Sequence, residues 1–464
     1  MLALLLAANL GVSHFTATGP KVCQRKTLEG VLYLHSFVYE DARDAFVEAQ
    51  AAAPCPIAYW GEAMTYDHSL WDEQDAPPAK AALAKIPADA KLSPAEKGLV
   101  EAARALYEKD HAAWMERLAQ LHEQLPKDDE VALFYALSLY ANSHRGADVK
   151  RSMQAAAIAI DVFERNPSHP GAAHYLIHAC DSPDHAILAL KAARRYAQIA
   201  PAAGHALHMP SHIFVQLGMW PEVESSNLAA VKAGMEFVER HDLAPEHADW
   251  HSYAWLAAAR IELGRADEVL PMIARVRQMF ENDKSSHVRE VHAMLVSAWL
   301  SATQQWARAD ELLLPDQHGT ALRVRLNAAA ATGDEAAAEK LGDELVRLGE
   351  PSPELAKLIV AAKRAQAHSV RDTGSIGDAI EATRALADAG EREPAYGPAF
   401  WTPPREELGD LFVRSHRFAE AEAAFRAALE RRPNRLHALR GLEESARSAG
   451  DLRAAAEAQS RLPK

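Results

Sequence analysis

The stretch "GVLYLHSFVYEDARDAFVEAQAAAP" at residues 30–54 has a counterpart near the other end of the chain, "GDLFVRSHRFAEAEAAFRAALERRP" at residues 409–433. Gly30, Tyr33, Ala42, Phe46, Ala49 and Pro54 match Gly409, Phe412, Ala421, Phe425, Ala428 and Pro433 in identical spacing. The spacing has a physical cause. Small residues let two antiparallel helices approach, an aromatic ring fills the gap between them, and a proline stops the second helix. Such a hairpin cannot bury its apolar face alone, so further copies are expected beside it.

Between the two ends, Pro167 and Pro201 are 34 residues apart, and so are Ala189 and Val223. "LGMWPEV" at 217–223 and "LGRADEV" at 263–269 read as the turn and second-helix start of the same unit, with "QQWARADEL" at 304–312 a degraded version. Apolar residues recur at three and four along most of the chain, and strand-like alternation is almost absent. The pattern resembles the tetratricopeptide repeat family, whose unit is a helix–turn–helix of about 34 residues. The resemblance covers most of residues 22–464, strongest at both ends and at 168–235. It is looser at 72–150 and 318–390.

The resemblance implies an all-α, right-handed superhelical solenoid of TPR-like repeats, with a concave groove that holds a protein or peptide partner or a small ligand. The expected organisation is a signal peptide at 1–13, N-terminal repeats at 14–71 and divergent helical repeats at 72–166. Repeats at 167–235, degenerate repeats at 236–389, a Pro- and Gly-rich linker at 390–404 and C-terminal repeats at 405–464 complete it.

With 464 residues the chain exceeds the size of one compact core. A net charge of −14 argues against a sequence-independent grip on nucleic acid or anionic lipid. The opening "MLALLLAANLGVSHF" carries a short apolar core followed by Gly11 and Ser13, as a secretory leader does, but lacks a preceding Lys or Arg. Export to a periplasmic or secreted location is the expectation; a first helix in a cytoplasmic protein is the alternative. No other stretch approaches the ~20 apolar residues that span a bilayer, so no transmembrane segment is expected. Of three cysteines, Cys23 and Cys55 form one disulfide if the chain is exported, or stay two reduced thiols; Cys180 is left over.

The chemistry-bearing residues concentrate in "HPGAAHYLIHACDSPDHAILAL" and "GHALHMPSHIF". His208 follows His174 by 34 residues and His212 follows His178 by 34, while His205 adds a fifth imidazole. Residues four apart share a helix face, so each pair can converge on one point. In the resembled family these positions face the groove. His174, His178, His205, His208 and His212 are therefore the candidate ligands of one metal ion, or two. An imidazole set suits zinc or copper ahead of iron, and disfavours magnesium or calcium. Asp181, Glu246 and Asp249 are candidate outer carboxylates, and His251, His68 and Trp71 candidate groove residues. Pro210 either kinks the helix or starts it, and in the second case His205 and His208 lie on a loop.

The combined pattern "HPxxxHYxIHA" then "GHxxHMPSHI" is similar to a group of bacterial, often exported, repeat proteins rich in histidine. Three readings stay open: a binding scaffold organised by a histidine-bound metal, a metal-dependent enzyme with an open coordination position, and a metal-free interaction scaffold. No catalytic base is named by the sequence. Signatures of nucleotide- and flavin-binding sites and of common hydrolases are absent.

Overall fold

The computed structural model describes residues 9–71, 73–143, 147–240, 242–282, 285–315, 319–392 and 396–463. It is all-α apart from a two-residue antiparallel ladder that pairs Asp67 with Gln74 and His68 with Glu73. Two compact units divide the chain, residues 1–213 and 214–464. The division falls inside the stretch 167–235 that reads as one block in the sequence.

The first unit contains α1 (Lys21–His35), α2 (Tyr39–Ala52), α3 (Pro56–Met64), α4 (Ala76–Ala84), α5 (Pro94–Glu108) and α6 (His111–Gln124). It continues with α7 (Asp129–Ala141), α8 (Val149–Arg165), α9 (Pro170–Ala179), α10 (Ala186–Ile199) and α11 (Gly204–His208); α12 (Pro210–Gln216) crosses the division. Starts are encoded locally. Prolines open α3, α5 and α9, where a missing N–H costs nothing. Asp110, Asp128 and Asp148 accept from the first free amides of α6, α7 and α8.

Glycine and phenylalanine explain the repeat signature. A Cβ on Gly30 would stand 2.7 Å from the Phe46 ring, and one on Gly61, in the next hairpin, 2.2 Å from it. The ring is thus held between two bare backbones. In the second unit Phe425 is held identically, by Gly409 and Gly441 at 2.6 and 2.3 Å.

The first unit also closes on itself. His35, at the end of α1, is fully buried and reaches Tyr175 of α9 and Glu130 of α7. Residues 9–18 pack on this body without regular secondary structure beyond a turn at 9–10: Val12 N–H donates to Ser168 at 2.8 Å, Asn166 donates to the Val12 carbonyl at 3.0 Å, and Thr18 N–H donates to Glu96 at 2.6 Å. Of the expected leader 1–13, residues 1–8 lie outside the described residues and 9–13 belong to this packed segment. Cys23 and Cys55 form a disulfide, and Cys180 is buried and free.

The second unit contains α13 (Trp220–Arg240), α14 (Trp250–Glu262), α15 (Val269–Asn282), α16 (Ser286–Thr303), α17 (Ala309–Leu312), α18 (Gly319–Thr332) and α19 (Glu335–Leu348). The remainder are α20 (Pro353–Arg371), α21 (Ile376–Gly390), α22 (Pro404–Arg414), α23 (Phe418–Arg431), α24 (Leu436–Ala449) and α25 (Leu452–Arg461). Of the expected linker 390–404, Gly390 ends α21 and Pro404 opens α22, and residues 393–395 lie outside the described residues. Here too the first and last hairpins meet. Buried Arg435 binds Glu262 and Glu406, each at 2.7 Å, and the Trp220 indole N–H donates to the Asn434 carbonyl. Among the described residues no helix is long and apolar enough to cross a membrane.

Candidate metal centre

The histidine-rich helices α9 and α11 lie in the first unit. Met209 keeps right-handed helical angles between α11 and α12, and Pro210 takes the first position of α12. Pro210 therefore starts a helix, but residues 204–208 form a helical turn of their own. His205 and His208 sit on that turn and not on a loop.

His174, His178 and His205 aim their Nε2 atoms at one place. His178 lies 3.0 Å and His205 3.1 Å from His174, nitrogen to nitrogen. His174 is fully buried, and its Nδ1–H donates to the His35 carbonyl at 2.7 Å. That bond fixes the tautomer, leaving the Nε2 lone pair to face both neighbours. One lone pair cannot serve two N–H donors well in plane. An ion bonded at ~2.0–2.1 Å in tetrahedral geometry holds its nitrogens about 3.3 Å apart, close to the observed spacing. Burial, followed by neighbouring imidazoles, keeps His178 and His205 well below the usual histidine range; burial brings His174 down to about 3. All three are neutral donors at physiological pH, the form a metal takes.

His208 and His212 form a second group, Nε2 to Nε2 at 3.1 Å. Asp181 accepts from His212 Nδ1–H at 2.7 Å, the carboxylate–imidazole arrangement that orients metal-bound rings. The groups adjoin: ring centres of His178 and His212 lie 6.2 Å apart, and those of His205 and His208 6.4 Å. The four residues in 34-residue register thus divide, with His205 joining the first pair.

Aromatic rings wall the first group. Phe37 lies 4.4 Å from the His174 ring and within 6 Å of those of His178 and His205. Tyr196 stacks on His174, and Tyr140 lies beside His178. Phe37 holds its place at a cost: its φ is +55°, in the left-handed region that a bulky residue enters with strain. Trp71 stands 6.1 Å from His205, whereas His68 stacks on Tyr39 at 4.0 Å.

In the second unit, His251 of α14 lies beside Trp255. Asp249 caps the same helix, accepting from the Ser252 amide at 2.9 Å and from its hydroxyl at 2.5 Å. That capping role is legible once the helix start is known. The Glu246 side chain lies outside the described residues.

Sequence reading missed the layer behind His174. Glu130 accepts from His35 at 2.7 Å and from His169 at 3.0 Å, and the Ser13 hydroxyl adds a third donor. Burial opposes this charge, but the two imidazoles outweigh it and hold the Glu130 carboxyl well below its usual range. The Glu130 carboxylate pairs with both imidazoles, and through His35 the group anchors the carbonyl that orients His174.

No family model matches the chain, and no curated protein matches it. Similar solved structures include a human IFIT1 dimer with m7Gppp-AAAA, at 13% identity over 99% of this chain and 93% of that one, with a TM-score of 0.36. Yeast Tom70 is similar at 10% identity over 93% and 96% of the two chains, with a TM-score of 0.36. The P58(IPK) TPR domain is similar at 13% identity over 92% and 98%, with a TM-score of 0.24. The fold class is an all-α array of helix–turn–helix hairpins; it rests on the hairpins and their glycine–phenylalanine packing described above.

Proposed function

We propose that the first unit is a helical-repeat scaffold built around a histidine-bound transition-metal centre, with His174, His178 and His205 as one ligand set. His208 and His212, oriented by Asp181, form an adjoining pair. The observation that carries the reading is that the neutral Nε2 atoms of His178 and His205 each lie 3.0–3.1 Å from that of His174, with ligand atoms of all three within 4.8 Å of one another. Nitrogen-only donors favour zinc or copper over iron. The helical-repeat fold supports a role in holding a protein or peptide partner, and the Cys23–Cys55 disulfide supports an oxidising compartment such as the periplasm.

A second reading rests on the ligand count. Three protein ligands leave the fourth tetrahedral position to water or substrate, as in catalytic zinc sites.

Elemental analysis of tag-free protein tests the proposal. One equivalent of zinc or copper is expected in the wild type, or two if the adjoining pair is filled as well, and the His174→Ala/His205→Ala double variant should lose one of them. Wild-type protein that stays below a tenth of an equivalent after reloading would refute it.

A further inference from the structure

The second unit holds a cavity of about 330 Å³ that the histidine chemistry does not involve. It opens among α18, α20, α21, the chain around Trp401, and the end of α23. This volume is at the lower end of the ~300–1,000 Å³ range of small-molecule pockets. Leu355, Ile359 and Leu386 supply apolar walls. Charged side chains line it as well: Arg323 and Arg432, with Arg405, Arg431, Glu391 and Glu406.

Arg323 and Arg432 are poorly compensated. The Arg323 guanidinium lies over the Trp401 ring at 3.9 Å, and its buried Nε meets no hydrogen-bond partner among the described residues. Arg432 donates to the neutral Gly397 carbonyl at 3.0 Å. Nearby carboxylates are engaged elsewhere: Glu391 by Arg405, Glu406 by Arg435 at 2.7 Å, and Glu407 by Lys363 at 2.5 Å. Burial pushes both arginines down to about 10, so each remains charged at neutral pH and its charge is costly there. A cavity lined by apolar carbon and by two guanidiniums that, among the described residues, no carboxylate pairs with in an ion pair is complementary to an amphipathic anion.

We propose that this cavity is a binding site for a small molecule that joins one carboxylate to an apolar body. The carboxylate meets Arg323 and Arg432, and the body lies along Leu355, Ile359 and Leu386. Trp401 orients Arg323 by stacking, which frees the edge of the guanidinium to donate.

The test is calorimetric titration of the full chain with decanoate, below its micelle concentration, beside decanol and decyltrimethylammonium. Saturable one-to-one binding of decanoate is expected, at least tenfold tighter than decanol, with no binding of the cation. Arg323→Met and Arg432→Met should each weaken decanoate binding about tenfold or more, the scale of one charge-assisted hydrogen bond. Leu386→Trp, which fills the cavity without touching its charge, should abolish binding. If an arginine variant fails to fold, the wild-type comparison of decanoate with decanol decides. Decanoate that does not saturate, binds no better than decanol, or binds folded arginine variants unchanged overturns the proposal.

Discussion

The Nε2 atoms of His174 and His205 lie 3.1 Å apart although 31 residues separate them, because α9 and α11 bring successive hairpins to the same side of the first unit. His174 is the hub: its other nitrogen is committed to the His35 carbonyl, so only one lone pair faces the neighbours. Removing His174 should therefore weaken metal binding more than removing His208, whose group is separate. A competition titration against a chromophoric zinc chelator should show His174→Ala at least a hundredfold weaker, with His208→Ala leaving the tighter step within about tenfold of wild type. Equal losses would argue for a single five-histidine site.

Phe37 and His416 occupy the same point in the two matching hairpins, with φ of +55° and +60°. Glycine relieves such strain, on the order of 1 kcal/mol. His416→Gly should raise the urea midpoint of unfolding and leave metal binding unchanged. Phe37→Gly should alter stability by less than about 1.5 kcal/mol, because strain relief offsets lost burial, yet release metal to a chelator several-fold faster. Unchanged release would remove Phe37 from the account of the site.

Gly61→Ala should destabilise the protein by about 1–3 kcal/mol, the usual cost of overpacking, since the added methyl would stand 2.2 Å from Phe46. Phe46→Leu in the same chain should recover part of the loss. Denaturant curves of the two single variants and the double variant measure the coupling; simple additivity would show that the ring yields freely.

His292 of α16 is 1% exposed, and its Nε2 meets no hydrogen-bond partner among the described residues. Burial, aided by the charge of Arg277, pulls it down to about 4. Between the unfolded value near 6.5 and that figure, the unfolded chain binds a proton that the folded chain refuses. Stability from this group is intact above pH 6.5 and is lost as the pH falls toward 4, by at most about 1.4 kcal/mol per pH unit. His292→Leu should flatten that part of the stability–pH curve. Parallel curves for wild type and variant would contradict the assignment.

The repeat was legible because Gly30 and Phe46 recur as Gly409 and Phe425, and one packing contact demands both residues. The histidines were legible as a cluster for the same reason, through the 34-residue period. Their division was not. It follows from Pro210 starting α12, which turns His208 toward His212 and leaves His205 to face His174. Nor could local pattern reveal Glu130, His169 and His35, which meet across 39 and 95 residues because the first unit closes on itself. Phe37 carries no sequence sign of its left-handed turn; only its alignment with His416 hints that the position tolerates it.

The most direct measurement is an anomalous difference map from crystals of the zinc-loaded protein, collected on both sides of the zinc edge. The account predicts a peak about 2.0–2.1 Å from the Nε2 atoms of His174, His178 and His205. Rings at that place with no anomalous density between them, in protein soaked to saturation, would contradict it.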